Sequence, residues 1–150
     1  TNIVCEKEKT GLKQFELALS IFQKLEMKII YMNPKVHDQH ISYVSHLSHI
    51  TSFILAKTVI EKEIDEKNIF DLAGSGFEST VRLAKSSPEM WSPIFIQNKI
   101  NIIEALSEYI DNLEVLKQMI LKNENEVIIN DLNNINRIKE ILSGINKKRK

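Results

Sequence analysis

The chain has 150 residues, the length of a single domain of ordinary size. Its 20 basic and 20 acidic side chains give a formal net charge of zero, which excludes the strong positive field typical of nucleic-acid-binding proteins. Cys5 is the only cysteine, so a disulfide framework is excluded and a reducing, cytoplasmic location is expected. No apolar run reaches the roughly 18 residues of a membrane span.

The first 32 residues predict a strand, a helix and a second strand. The apolar runs NIVC and KIIYM, at residues 2–5 and 28–32, are typical of short strands. Between them, apolar residues recur at three- and four-residue steps from Leu12 to Leu25, which indicates an amphipathic helix. Three such elements are too few for an independent sheet. We therefore expect residues 1–32 to be the C-terminal tail of a dinucleotide-binding α/β domain.

The pattern changes at Asn33-Pro34, and residues 33–150 are predicted to be all-helical. Asparagine followed by proline is a favoured helix start, and nothing interrupts the predicted helix until about Glu61. One face of this helix carries a line of small residues at steps of three and four, where a second helix or a ligand could approach closely: Ser45, Ser48, Ser52 and Ala56. A short helix is expected around TVRLAK, residues 80–85.

Two long amphipathic helices are predicted for residues 93–122 and 126–143, with Gly144 as a C-terminal cap. The first carries a heptad-like apolar seam: Ile102, Leu106, Tyr109, Leu113, Leu116 and Ile120. Two such faces have more apolar surface than one monomer easily covers, so we expect a homodimer formed through these helices. The basic tail NKKRK is interpreted as a solubilising terminus.

All four histidines fall within the stretch HDQHISYVSHLSHI, residues 37–50. They form two pairs at i, i+3, His37 with His40 and His46 with His49, so each pair shares a helix face. Zinc sites usually place the second histidine at i+4 or add cysteines, so we predict no metal. Two interpretations of His46 and His49 stay open: hydrogen bonds to an anionic or carbonyl ligand, or polar residues satisfied at a helix interface. His40 is expected to be solvated.

The segment AGSGFESTVRLAKSSPEMW, residues 73–91, contains a second candidate site. A helix starting after Gly76 would present free backbone N–H groups and a positive dipole end. Arg82 follows within this helix, and a guanidinium pairs with a carboxylate through a bidentate fork. The alternative is that Arg82, like Lys85, is an ordinary surface charge.

The order of these segments is informative: HD, then SHLSH, then GSGFxxxxRLAxSxPxMW, then a helix beginning near I(F/I)xxNK. It resembles the C-terminal helical dimerisation domain of prephenate dehydrogenases, over about residues 28–121. The resemblance implies a mainly α fold of the 6-phosphogluconate-dehydrogenase-like C-terminal type. It also implies a set of substrate-binding residues: Arg82, His46, His49, Ser45 and Gly76. His37 and Asp38 are expected to have a supporting role.

The activity implied by this resemblance is the NAD-dependent oxidative decarboxylation of prephenate to 4-hydroxyphenylpyruvate in tyrosine biosynthesis. No GxGxxG follows a strand in this chain, and the family's proton-abstracting histidine has no counterpart. The resemblance therefore implies a C-terminal part of the enzyme, inactive alone, with NAD (or NADP) bound mainly by a preceding domain. Its cofactor-binding residues are unknown. The alternatives are an arogenate dehydrogenase and a non-catalytic dimerisation or regulatory module.

Two positions depart from the family's pattern. Ser48 replaces the usual proline of the histidine motif, and we expect this to straighten the helix slightly. Ser79 stands where many members carry an aspartate beside the arginine helix, which affects the local tuning of the histidine site.

Overall fold

A computed structural model describes residues 1–147 of the chain. Residues 148–150, most of the basic tail, lie outside the described residues, and so does the interpretation of that tail. The chain divides into two compact units, Thr1–Ala105 and Leu106 onward. The chain is mainly helical, as predicted.

The N-terminal piece has the predicted strand–helix–strand order. Strands β1 (Asn2–Val4) and β2 (Ile29–Tyr31) pair in parallel, with Ile3 opposite Ile30. A parallel pair needs a long crossover connection, because the second strand must start again at the same end. Helix α1 (Leu12–Lys24) provides that crossover.

The helix predicted from Pro34 begins where expected. Helix α2 (Pro34–Ile41) is capped by Asn33, whose side-chain oxygen accepts a hydrogen bond from the Lys35 N–H at 2.9 Å. The proline at the first helical position loses no hydrogen bond, since that N–H has no helical partner.

The same helix is longer and less regular than predicted. A π-type turn, Ser42–His46, follows α2, and in it the Leu47 N–H donates to the Ser42 carbonyl five residues back. Helix α3 (Leu47–Asp65) then continues in the α form. The serine at position 48 therefore does not make the helix regular here, because the distortion directly precedes it.

The part of the second candidate site around Arg82, residues 73–85, is here called the arginine segment. It forms a short helix and then a tighter turn. Helix α4 (Ser75–Val81) begins after Gly74, so the expected start after Gly76 is wrong, and Gly76 lies in the first turn instead. A 3-10 turn, Arg82–Lys85, follows directly. The short helix predicted around residues 80–85 is thus displaced toward the N-terminus.

The long helix predicted for residues 93–122 is two helices. Helix α5 (Pro88–Gln97) starts earlier, because the Ser87 side chain caps it and accepts from the Met90 N–H at 3.3 Å. Pro93 lies inside α5 rather than at a helix start. After Asn98, helix α6 (Lys99–Leu121) carries the predicted apolar seam.

The second unit contains the rest of α6 and two further helices. Helices α7 (Asn125–Ile135) and α8 (Ile138–Lys147) replace the single helix predicted for residues 126–143, and Gly144 lies within α8 instead of capping it. None of the side chains described from Leu106 to Gly144 is buried. Large apolar side chains are exposed along all three helices, including Ile110, Leu113, Ile120, Ile129, Leu132, Ile135, Ile141 and Leu142. This apolar surface is expected to be buried by contact with another protein surface.

The core of the first unit lies where the π-type turn and α3 meet α5 and the start of α6. Among the described residues, three buried side chains of this core are apolar, namely Trp91, Ile102 and Ala105. Three others are polar, namely Ser42, His46 and Ser52. Buried polar side chains are kept where they make specific hydrogen bonds. Among the described helices, none is both long and apolar enough to cross a bilayer.

Candidate functional site

His46 and His49 lie against the indole ring of Trp91. The His49 ring stacks on the indole, with ring centroids 3.6 Å apart and an interplanar angle of 27°. His46 meets the same indole edge-on, at 6.0 Å and 79°. Both His46 and Trp91 are only 7% exposed. The two histidines therefore belong to a packed aromatic cluster and not to a solvated helix face.

The Nδ1 atom of each histidine in this cluster has a hydrogen-bond partner. His49 Nδ1–H donates to the Ser45 carbonyl at 2.9 Å, so Ser45 acts here through its backbone. The side-chain amide of Asn98 lies 3.3 Å from Nδ1 of His46. Asn98 also donates to the Asp38 carbonyl at 2.7 Å, which ties α2 to the junction of α5 and α6.

Burial lowers the pKa of His46 below its usual 6.5, because the imidazolium loses hydration. The neighbouring His37 and His49 lower this pKa further by repulsion of positive charge, whereas the Asp38 carboxylate raises it. His46 is consequently neutral at pH 7, and one of its ring nitrogens can accept a hydrogen bond.

The contribution of His46 to the free energy of unfolding is expected to fall as the pH is lowered below 6.5, the usual pKa of histidine. Between the lowered pKa of folded His46 and its usual 6.5, the unfolded chain binds more protons than the folded chain. The stability is therefore complete above pH 6.5 and is lost as the pH falls through the folded-state pKa. Urea unfolding at a series of pH values measures this slope. His46→Gln should flatten it, and His40→Gln, at an exposed site, should not; an equal slope in His46→Gln contradicts the assignment.

The arginine segment is fastened to α3 by Ser52, which is 2% exposed. Its hydroxyl donates to the Thr80 carbonyl at 3.0 Å and accepts from the Ala84 N–H at 3.1 Å. In a continuous helix, the Ala84 N–H would bond directly to the Thr80 carbonyl. The Ser52 hydroxyl thus occupies the gap in the helical ladder where α4 becomes the 3-10 turn that begins with Arg82.

Arg82 itself is exposed, and no described carboxylate pairs with it. Among the contacts described for residues 1–147, none joins its guanidinium to His46 or His49. The fork is available to a ligand, and its backbone position is set by the Ser52 bridge.

The remaining predicted site residues are at the surface. His37 Nδ1 lies 3.0 Å from an Asp38 carboxylate oxygen, so these two form a partly exposed pair. Gly76 is exposed, and its carbonyl accepts from the Ser79 and Thr80 hydroxyls at 2.9 and 2.8 Å. His40 is exposed, as predicted. Within residues 1–147, no group of three or more His, Cys, Asp or Glu side chains is placed to hold a metal ion.

Residues 33–141 match the family model described as the prephenate dehydrogenase dimerization domain. The chain belongs to this family. It is 26% identical to the prephenate dehydrogenase of Bacillus subtilis (strain 168) over 128 residues, which are 83% of this chain and 33% of that protein.

Two solved structures extend the likeness of this prephenate dehydrogenase domain to the fold. The prephenate dehydrogenase from A. aeolicus, solved with hydroxyphenyl propionate and NAD+, is 32% identical, with a TM-score of 0.80. The match covers 93% of this chain and 48% of that one. Synechocystis arogenate dehydrogenase is 26% identical, with a TM-score of 0.64, over 81% of this chain and 45% of that one. The chain thus spans about a third to a half of these relatives.

Three residues of this prephenate dehydrogenase domain help to form the site, although they were not among the site residues predicted from the sequence. Trp91 and Asn98 stand inside the quoted motifs, and Ser52 lies on the predicted line of small residues. The spacing of Ser52 from Ser45 and Ser48, at threes and fours, was a usable signal for close approach of another segment.

Proposed function

We propose that this chain is the C-terminal, substrate-binding and dimerization part of a prephenate dehydrogenase. The full-length protein would convert prephenate to 4-hydroxyphenylpyruvate by oxidative decarboxylation. The observation that carries the proposal is the packed cluster of His46, His49 and Trp91, which lies within the residues that match the family. The buried indole fixes the orientation of the two imidazole rings, whose Nε2 atoms are proposed to contact the polar groups of the cyclohexadienyl ring.

Arg82 is the proposed clamp for a substrate carboxylate. Its guanidinium pairs with no described acidic side chain, and a bidentate pair fixes the orientation of a planar anion. The ligand in the A. aeolicus enzyme, hydroxyphenyl propionate, combines a phenol ring with a carboxylate, the two chemistries proposed for this site. Arg82 would hold the acid, and His46 and His49 would contact polar groups of the ring or its substituents.

The other proposed residues act at a distance from the ring. Ser45 holds the His49 imidazole through its carbonyl, and the His37–Asp38 pair influences the charge of His46. Gly76 is proposed to offer its backbone to the substrate, from the exposed first turn of α4. None of these residues transfers the hydride or the proton.

NAD would accept the hydride in the full-length enzyme. Among residues 1–147, the structure shows no site that fits its pyrophosphate. The cavity of about 390 Å³ at the carboxyl ends of β1 and β2 is lined by Glu6 and Glu8 with a single cation, Lys7. No described glycine has a positive φ, and no phosphate-binding loop is present in the sequence. This chain is accordingly assigned substrate binding and no part of cofactor chemistry.

The proposal includes a division of the chain at Met32. Residues 1–32 would be the tail of a dinucleotide-binding domain, which is supported by the parallel pairing of β1 and β2 around α1. Residues 33–150 would be the helical substrate-binding and dimerization domain, supported by the family match that begins at Asn33. A cytoplasmic location is also proposed, in keeping with the unpaired thiol of Cys5.

The deciding experiment assays the full-length protein that carries this chain. With NAD present, reduction of the cofactor on addition of prephenate supports the proposal. A strong preference for arogenate would favour the second candidate, which the likeness to Synechocystis arogenate dehydrogenase supports. Reaction with neither substrate, in a protein that is folded and dimeric, would favour a non-catalytic dimerization module.

Leu113→Glu is expected to raise the dimer dissociation constant by at least about tenfold. Leu113 lies on the apolar seam of α6 and is 48% exposed, so a charge there would have to be buried in a homodimer interface. Sedimentation of the purified protein over a range of concentrations measures the change. Asn112→Glu adds the same charge at the adjacent exposed position and should leave the dimer intact. Equal dissociation in both variants would remove this seam from the interface.

A further inference from the structure

We propose that Asn98 is a positioning residue of this site, which holds His46 as the neutral tautomer with its proton on Nε2. This inference rests on the proposed function and deepens it, since it assigns the hydrogen-bonding character of one substrate-binding side chain. Asn98 lies at the break between α5 and α6, where the sequence predicted an uninterrupted helix.

The orientation of the Asn98 amide is fixed by the backbone carbonyl of Asp38, and the contact with the Asn101 amide is compatible with it. One nitrogen–oxygen distance of 2.7 Å joins Nδ2 to the Asp38 carbonyl, which can only accept a hydrogen bond. On the other side, Oδ1 accepts from Nδ2 of Asn101 at 2.6 Å. Rotating the amide by half a turn would place its oxygen against the Asp38 carbonyl oxygen. Nδ2 therefore faces Asp38.

The proton between Asn98 and His46 consequently belongs to the amide. Nδ2 carries two hydrogens, one for the Asp38 carbonyl and one for Nδ1 of His46, at 3.3 Å. Nδ1 of His46 must then present its lone pair, and a neutral imidazole keeps its single proton on the other nitrogen. His46 is 7% exposed, and burial favours the neutral ring that this arrangement requires.

The two histidines of the cluster are therefore complementary. His49 donates from Nδ1 to the Ser45 carbonyl, so the Nε2 atom of neutral His49 is an acceptor, whereas His46 Nε2–H is a donor. One acceptor and one donor on neighbouring rings suit a ligand with a hydroxyl or carbonyl group better than two acceptors would. Asn98 sets the donor half of this pair without touching the ligand.

The test reads the His46 tautomer directly, in the full-length protein with its histidines labelled with ¹⁵N. Two-bond ¹H–¹⁵N correlation spectra distinguish Nε2–H from Nδ1–H, and the signals lost in His46→Gln identify the residue. The unaltered protein should show Nε2–H. Asn98→Asp should move the proton to Nδ1, because a carboxylate can only accept. Gln97→Glu makes the same amide-to-carboxylate change at the adjacent exposed residue and should leave the tautomer unchanged.

Ligand affinity supplies the second readout, with 3-(4-hydroxyphenyl)propionate as the probe in the presence of NAD. Asn98→Leu should raise the Kd of the probe by about three- to tenfold, the effect of one neutral hydrogen bond. An Nδ1–H tautomer in the unaltered protein, or no change in Asn98→Asp, overturns the assignment whatever the protein binds. A switched tautomer with unchanged affinity overturns the positioning role while the proposed function stands. An unaltered protein that binds neither probe nor prephenate refutes the proposed function, and the spectra still decide the tautomer.

Discussion

Arg82→Ala is expected to raise the KM of the full-length enzyme for prephenate by about 10- to 150-fold, which corresponds to about 1.5–3 kcal/mol for hydrogen bonds to a charged group. The exposed guanidinium has no acidic partner among the described residues, so a substrate carboxylate would be the anion that it pairs with. The ring carboxylate of prephenate leaves as carbon dioxide, but the side-chain carboxylate proposed to pair with Arg82 stays charged throughout the reaction. The loss should therefore fall on KM more than on kcat. Steady-state kinetics at fixed, saturating NAD separates the two constants.

Lys85→Ala is the matched control for this result. Lys85 ends the same 3-10 turn, is exposed, and carries the same charge, so its removal changes the general field in the same way. Its KM should stay within about twofold of the parent, as for an exposed charge without a fixed partner. Arg82→Lys keeps the charge but not the planar fork, and should recover only part of the loss. An unchanged KM in Arg82→Ala, or equal losses in Arg82→Ala and Lys85→Ala, would remove Arg82 from the site.

Ser52→Ala is expected to lower the free energy of unfolding by about 1–3 kcal/mol, or the melting temperature by roughly 5 °C. The Ser52 hydroxyl is buried and satisfies two backbone groups of the arginine segment, the Thr80 carbonyl and the Ala84 N–H. Without it, these groups either lose their partner or close onto each other as a regular helical bond. Closure would extend α4 past Arg82 and turn the guanidinium away, so the KM for prephenate should rise as well.

Ser48→Ala makes the same chemical change one turn earlier on α3. The Ser48 hydroxyl donates only to the Val44 carbonyl of its own helix, at 3.3 Å and in contact with solvent. Calorimetry should place this variant within about 0.5 kcal/mol of the parent, the usual range for surface substitutions. If Ser52→Ala had the same melting temperature as Ser48→Ala and kept the parental KM, the Ser52 bridge would have no role in placing Arg82.

Local signals in the sequence were enough to predict most of the fold. Asn33 and Ser87 cap helices at the positions that their prolines indicate, because a cap is a contact between residues two or three positions apart. The two short strands and the apolar seam of α6 also follow from local patterns, namely short apolar runs and a heptad-like spacing. The helix break at Asn98 could not be predicted from local signals. The Asn98 side chain bonds to residues 60 and 52 positions away, and no local pattern encodes such partners.

The assignment of site residues rests on the resemblance and stays a prediction, and the contacts that hold these residues in place could not be predicted from the sequence. The resemblance pointed to His46, His49 and Arg82, and the structure places both histidines against Trp91. That Arg82 is fastened through Ser52 depends on two hydrogen bonds that cross 28 and 32 residues of chain. Only the tertiary packing of α3 against the arginine segment brings these groups together.

Because of the π-type turn at Ser42–His46, the number of residues in this helix affects which side chains share a face before and after the turn. In a regular helix, the nine residues from His37 to His46 span about two and a half turns, which would put the two side chains on opposite sides. The wider turn takes up an additional residue and rotates the later faces of the helix back relative to the earlier ones.

The single amide of Asn98 contacts both the Asp38 carbonyl, before this turn, and the His46 ring, at its end. The number of residues between the two histidine pairs therefore affects how the later faces of the helix are oriented relative to the earlier ones. Inserting one further residue there would rotate every downstream face by about 100°, since each residue of an α-helix adds that angle. The proposed site should accordingly be more sensitive to an insertion in this stretch than to the exchange of an exposed side chain such as Val44.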